Sequence, residues 1–148
     1  MRPSAEPTRW LVLTAAAALL GGCSGDAAKK VSSGEYLLAL QHKTWTNARE
    51  TLKTGKPALT VLTAAGTMVC GRTRARLEKD YHEANRAEVL AKLDEIGKAY
   101  LRGVMPKLAA DGNGVRLRPG VTLAQLRQAF DTIDVEYRKF EEMTGSSR

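Results

Sequence analysis

The sequence predicts an all-α fold, a four-helix-type bundle that follows an N-terminal signal peptide and a short tether. Apolar residues recur at steps of three and four through four stretches between Ser32 and Gly145, which puts them on one face of each helix. Two of these stretches open on a capping-box sequence. Alternation of the kind a half-buried strand shows is confined to the four residues Val115 to Arg118. The boundaries that follow are 1–22 for the signal peptide, 23–31 for Cys23 and the tether, and 32–148 for a single helical domain.

The first helix is predicted over 33–53. Ser32 stands at its N-cap, and Glu35 reaches back to complete the capping box. Leu38, Gln41, Trp45, Ala48 and Leu52 share one face, widened by Leu37 and Leu40. Gly55 and Pro57 stop it. Pro57 suits the first position of a second helix, in which Ala58, Val61, Leu62, Ala65 and Met68 keep helical spacing. The β-branched Thr60, Val61, Thr63, Thr67 and Val69 pull the same stretch towards strand, so both readings of 58–70 stand, with helix preferred. Gly71 is expected to end it.

The third segment, 73–104, is the longest, with Leu77, Tyr81, Ala84, Ala87, Leu90, Leu93, Ile96, Tyr100 and Val104 in register. A bend is expected near Asn85, Gly97 is a weak point, and Gly103 and Pro106 close the segment. Its other face is charged, with Glu88–Lys92 and Asp94–Lys98 spaced as i,i+4 pairs. Asp111-Gly112-Asn113-Gly114 is a run of turn formers, Val115 to Arg118 alternates like an extended segment, and Pro119-Gly120 turns again. Thr122 caps the last helix, with Gln125 three residues on. There Leu123, Leu126, Phe130, Ile133, Tyr137 and Phe140 make the cleanest amphipathic stripe in the chain. The expected core is Leu38, Trp45, Leu52, Leu62, Leu77, Tyr81, Leu90, Leu93, Tyr100, Leu126, Phe130, Ile133, Tyr137 and Phe140.

The residues before the domain address its location. Arg2 and Arg9 precede an apolar run from Trp10 to Leu20, and Gly21-Gly22-Cys23 follow. This order, basic then apolar then small, is that of a secretory signal peptide. The run is shorter than the roughly 20 apolar residues of a spanning helix. Leu20-Gly21-Gly22-Cys23 resembles the lipobox of bacterial lipoproteins. The resemblance covers residues 1–23 and implies cleavage before Cys23. It also implies a diacylglycerol thioether on that cysteine and an acylated amine, with chains of palmitate type. It implies a protein of the bacterial cell envelope, lipid-anchored and facing the periplasm or the exterior. Ser24 stands where an Asp would favour retention at an inner membrane, so a Gram-negative host would place the protein on the outer membrane. Ser24 to Lys30 is small and polar, and reads as a tether whose Lys29 and Lys30 sit close to headgroups.

A net charge of +7 favours anionic partners. Outside the cytoplasm these are anionic lipid, an acidic wall polymer or an acidic face of an envelope protein, and not nucleic acid. Arg72, Arg74 and Arg76 cluster at the expected start of the third segment, where a helix N-terminus would add backbone donors. On a helix Arg72 and Arg76 share a face and Arg74 points away. Arg116 and Arg118 form a second candidate for anion contact.

The cysteines are Cys23 and Cys70, so lipidation of the first leaves the second with no partner in the chain. Cys70 lies in an apolar run and reads as a small buried residue. His42 and His82 are far apart, with no metal-ligand spacing around them. Asp111 to Gly114 is similar to the middle of a calcium loop, but Ala109 and Gly120 stand where its end carboxylates belong. No nucleophile elbow or catalytic frame is found. The functional expectation is therefore a membrane-anchored, non-enzymatic helical binding or scaffold module with no cofactor. The alternative is a binder of a small apolar or haem-like ligand in the bundle core.

Overall fold

The computed structural model describes residues 33–145. The signal peptide, Cys23, the tether and the Ser32 cap lie outside the described residues. The described chain is mostly helical. Its elements are α1 (Ser33–Thr51), α2 (Leu59–Thr67), a π-helical turn (Met68–Arg72), α3 (Thr73–Asp80), α4 (Arg86–Gly103), a 3-10 turn (Met105–Lys107), β1 (Leu108–Asp111), β2 (Gly114–Leu117) and α5 (Leu123–Met143).

The stretch whose β-branched residues suggested a strand is helical from Leu59. Leu59, not Pro57, is its first residue, with Ala58 at the N-cap and the Ala58 amide donating to Thr51 Oγ1. The run does not stop at Gly71. It passes through the π turn into α3, with every residue from Thr67 to Thr73 on helical or π-helical backbone. The wide turn brings the Val69 carbonyl against α4 at Gly97. A Cβ there would stand 2.8 Å from that oxygen, so only glycine admits the approach. At Gly71 nothing lies within 4 Å of such an atom.

Gly97→Ala therefore pushes on backbone that cannot rotate away. Overpacking of about 1–3 kcal/mol outweighs the roughly 1 kcal/mol that alanine gains over glycine as a helix former. Gly71→Ala should instead stabilise by about 0.4–1 kcal/mol. Urea midpoints of the two variants are expected to move in opposite directions.

The predicted long third helix is two helices. Tyr81 leaves α3 in extended conformation (φ −94°, ψ 117°). Its hydroxyl donates to Asn85 Oδ1 at 2.9 Å, and Asn85 Nδ2 donates to the Met143 carbonyl at 2.8 Å. The Arg86 guanidinium reaches back to the Glu78 carbonyl. These bonds hold the break against the end of α5, and Tyr81 is half-buried at the margin of the core instead of inside it. The other expected core positions are buried, joined by Val69, Val89, Ile96, Val104 and Leu108.

The structure also departs from the all-α expectation in an antiparallel hairpin β1–β2, with Leu108 opposite Leu117 and Asp111 opposite Gly114. Only the second half of it carried a strand signal in the sequence. Gly112 turns it in the left-handed region (φ 58°). Leu108 enters the helical core, and Val115 and Leu117 pack at its margin. The Thr122–Gln125 capping box forms as read, with both of its bonds present. The expected pairs Glu88–Lys92 and Asp94–Lys98 do not form. Lys92 bridges Glu95 and Glu136, and Asp94 binds Arg74. Contacts to other elements, from Lys92 to Glu136 and from Asp94 to Arg74, outcompete the weak i,i+4 pairings.

Candidate functional site

The arginine cluster does not stand at a helix start. Arg72 ends the π turn of a continuous helical run, and the Thr73 amide is already bonded to the Met68 carbonyl. Backbone donors are therefore spent there, and only side chains remain for an anion. Arg74 is spent as well. It binds Glu78 at 2.7 Å and Asp94, which raise its pKa and fix it between α3 and α4.

Arg72 and Arg76 face elsewhere. With Lys79 they follow one side of the run at steps of four and three, and α1 packs alongside. Tyr36 and Leu37 of α1 and Ala75 of α3 complete an open groove of about 460 Å³ with no carboxylate in its lining among the described residues. Arg72 and Lys79 form no ion pair among the described residues. Among the described residues Arg76 has only a 3.7 Å approach to Asp80. Tyr36 is 65% exposed, the most of any large apolar or aromatic residue described. Lys79 and Tyr36 were missed in the sequence. The signal for Lys79 was its spacing three residues beyond Arg76, whereas Tyr36 became visible only once α1 lay beside α3.

Arg116 is exposed on β2, and Arg118 follows it with its Nε 3.3 Å from the Leu108 carbonyl. They lie on the hairpin and are not part of this groove. Cys23 lies outside the described residues. Cys70 is half-buried, not buried, with its Sγ 3.5 Å from the Gly97 carbonyl. Burial pushes its thiol up, which disfavours a reactive thiolate.

A buried polar network joins α1 to α5. The Trp45 Nε1–H donates to Asp134 Oδ1 at 2.8 Å, and Arg49 forks onto the same carboxylate at 2.7–3.1 Å while also reaching Glu141. Burial pushes the Asp134 carboxyl up, but the bonds from Arg49 and Trp45, with the charges of Arg49 and Arg138, outweigh it and hold it below its ordinary range. Beside it, Gln41 Nε2 donates to the Tyr137 hydroxyl, 3.3 Å away. That hydroxyl donates to His42 Nδ1 at 2.8 Å, and His42 Nε2–H donates to Thr144 Oγ1 at 3.1 Å. The Thr144 hydroxyl in turn donates to the Phe140 carbonyl at 2.9 Å. We assign the neutral Nε2–H tautomer because it alone satisfies every donor along this line.

Protonating His42 would place two hydrogens between Nδ1 and the Tyr137 oxygen. Burial and the neighbouring Arg49 charge accordingly lower the pKa of His42 to about 4. A depressed histidine binds more protons unfolded than folded between about pH 6.5 and 4, so stability rises with pH across that window. After discounting for partial exposure, about 2 kcal/mol should be lost on acidification from pH 7 to pH 4.5. Tm measured across this range should fall, and His42→Gln should flatten that part of the profile.

Among the described residues no group of three His, Cys, Asp or Glu can hold a metal ion. No described helix is long and apolar enough to cross a membrane. The chain matches no protein-family model, no curated protein and no solved structure.

Proposed function

We propose that this chain is a membrane-anchored extracytoplasmic lipoprotein, held by lipid on Cys23. In this reading the helical domain is a non-enzymatic binding or scaffold module of the bacterial cell envelope. The observation that carries the reading is the order of residues 2–23, with basic residues, an apolar run and Leu20-Gly21-Gly22-Cys23 in succession. Ser24 supports the outer membrane in a Gram-negative cell. The groove with Arg72, Arg76 and Lys79 supports an anionic partner. We read the helical domain as a four-helix-type bundle, with α1, the α2–α3 run, α4 and α5 as its four members and the hairpin as an addition.

The alternative, an apolar or haem-like ligand in the core, has less support. Trp45 stacks on Tyr137 at 4.0 Å and on Phe130 at 4.9 Å, so rings already occupy the middle of the α1–α5 seam. Cell fractionation tests the main reading. The parent chain should sediment with membranes and resist salt extraction, whereas Cys23→Ala should be released or remain as the uncleaved precursor. Equal fractionation of the two would refute the anchor.

A further inference from the structure

Resting on that reading, we propose that the partner of the basic groove is the anionic leaflet to which the protein is tethered, and that Tyr36, Arg72, Arg76 and Lys79 seat the domain on it. The argument starts from position. Nine residues separate Cys23 from Ser33, and the ten steps between their Cα atoms span at most about 36 Å when fully extended. A lipid on Cys23 therefore keeps the first turn of α1 within that reach of the bilayer, and Tyr36 stands in that turn. The groove lies between this turn and α3.

Its chemistry matches a phospholipid surface. Two of its three cations bond to no described carboxylate, and the third has only the long contact to Asp80. Arg72 and Arg76 offer planar forks for phosphate oxygens, and Lys79 adds a point charge. Tyr36 is exposed beside them, and a tyrosine ring is at home where the apolar and aqueous layers meet. Each cation held against an anionic leaflet strengthens contact by roughly fivefold, and the tether makes the contact intramolecular, so weak individual contacts suffice. Arg74, spent on Glu78 and Asp94, takes no part.

The test uses the mature full-length protein reconstituted into vesicles, with Tyr36→Trp as reporter and a brominated lipid as quencher. In vesicles rich in phosphatidylglycerol the introduced indole should be quenched. The quenching should fall several-fold in phosphatidylcholine vesicles, and also near 1 M salt, where the Debye length is about 3 Å. Arg72→Gln, Arg76→Gln and Lys79→Gln together should abolish it. Lys79→Gln alone should reduce it, and Arg74→Gln should leave it unchanged. Equal quenching in both lipids, or in the triple variant with its circular dichroism intact, would overturn the seating. So would retention on an acidic wall polymer without any response to vesicles. Mass spectrometry of the same samples separates this from the anchor. Unacylated protein that still sediments with phosphatidylglycerol vesicles keeps the groove and refutes the anchor. Acylated protein with no lipid-dependent quenching does the reverse.

Discussion

Replacing Trp45 with alanine should lower the unfolding free energy by about 3–5 kcal/mol, the range for deleting a large aromatic from a core. Trp45 is fully buried and has Tyr137, Phe130 and Tyr100 around it at ring-centre distances of 4.0, 4.9 and 5.6 Å. Its removal leaves a hole bounded by rings on two other helices, which cannot collapse without moving both. It also withdraws a hydrogen bond from Asp134. Trp45→Phe should cost less, because a ring remains and only the donor and part of the volume are lost. Urea unfolding followed by circular dichroism measures both. A loss under about 1.5 kcal/mol for the alanine variant would show that the aromatic seam is not where α1 and α5 are held.

Removing Asp134 should cost about 2–4 kcal/mol, less than for a fully buried pair because the Arg49 side chain keeps some contact with water. Asp134→Ala strands the indole N–H of Trp45 and leaves Arg49 with Glu141 alone. Asp134→Asn keeps an acceptor for the indole and should recover part of the loss. The two variants share a hydrogen bond, so the double Trp45→Ala, Asp134→Ala variant should lose less than the sum of the singles. The pH signature separates Asp134 from His42. A carboxylate with a depressed folded pKa contributes its stability above the ordinary value near 3.8 and loses it only as pH falls further. Asp134→Ala should therefore leave the slope between pH 7 and 4.5 in place, whereas His42→Gln removes it.

What could be read from the chain, and what could not, follows from the range of the interactions. The stripe Leu126-Phe130-Ile133-Tyr137-Phe140 and the Thr122–Gln125 box are local patterns, and both appear where the spacing put them. Asp134 sits inside that stripe, one turn after Phe130. A charge on an apolar face was the available sign of a buried network, and Gln41 between Leu38 and Trp45 was its counterpart on α1. Their bonds span about ninety residues of sequence, and no spacing rule within one helix announces such a partner. The same holds for the break at Tyr81. Helical periodicity continues through it, and the chain departs because Asn85 is held by the end of α5. At the basic groove, helix geometry alone separated Arg74 from Arg72 and Arg76, whereas the loss of the expected helix start needed the π turn. The hairpin was half legible, since Leu108 to Asp111 has little alternation of its own and gains its strand from β2.

The direct measurement of the anchor is the mass of the mature N-terminus. Protein extracted from native membranes and digested with trypsin should yield the peptide Cys23–Lys29 carrying diacylglycerol on sulfur and an acyl chain on the new amine. A Cys23 with a free thiol, or a peptide that runs unbroken from Trp10 through Cys23 to Lys29, would contradict it.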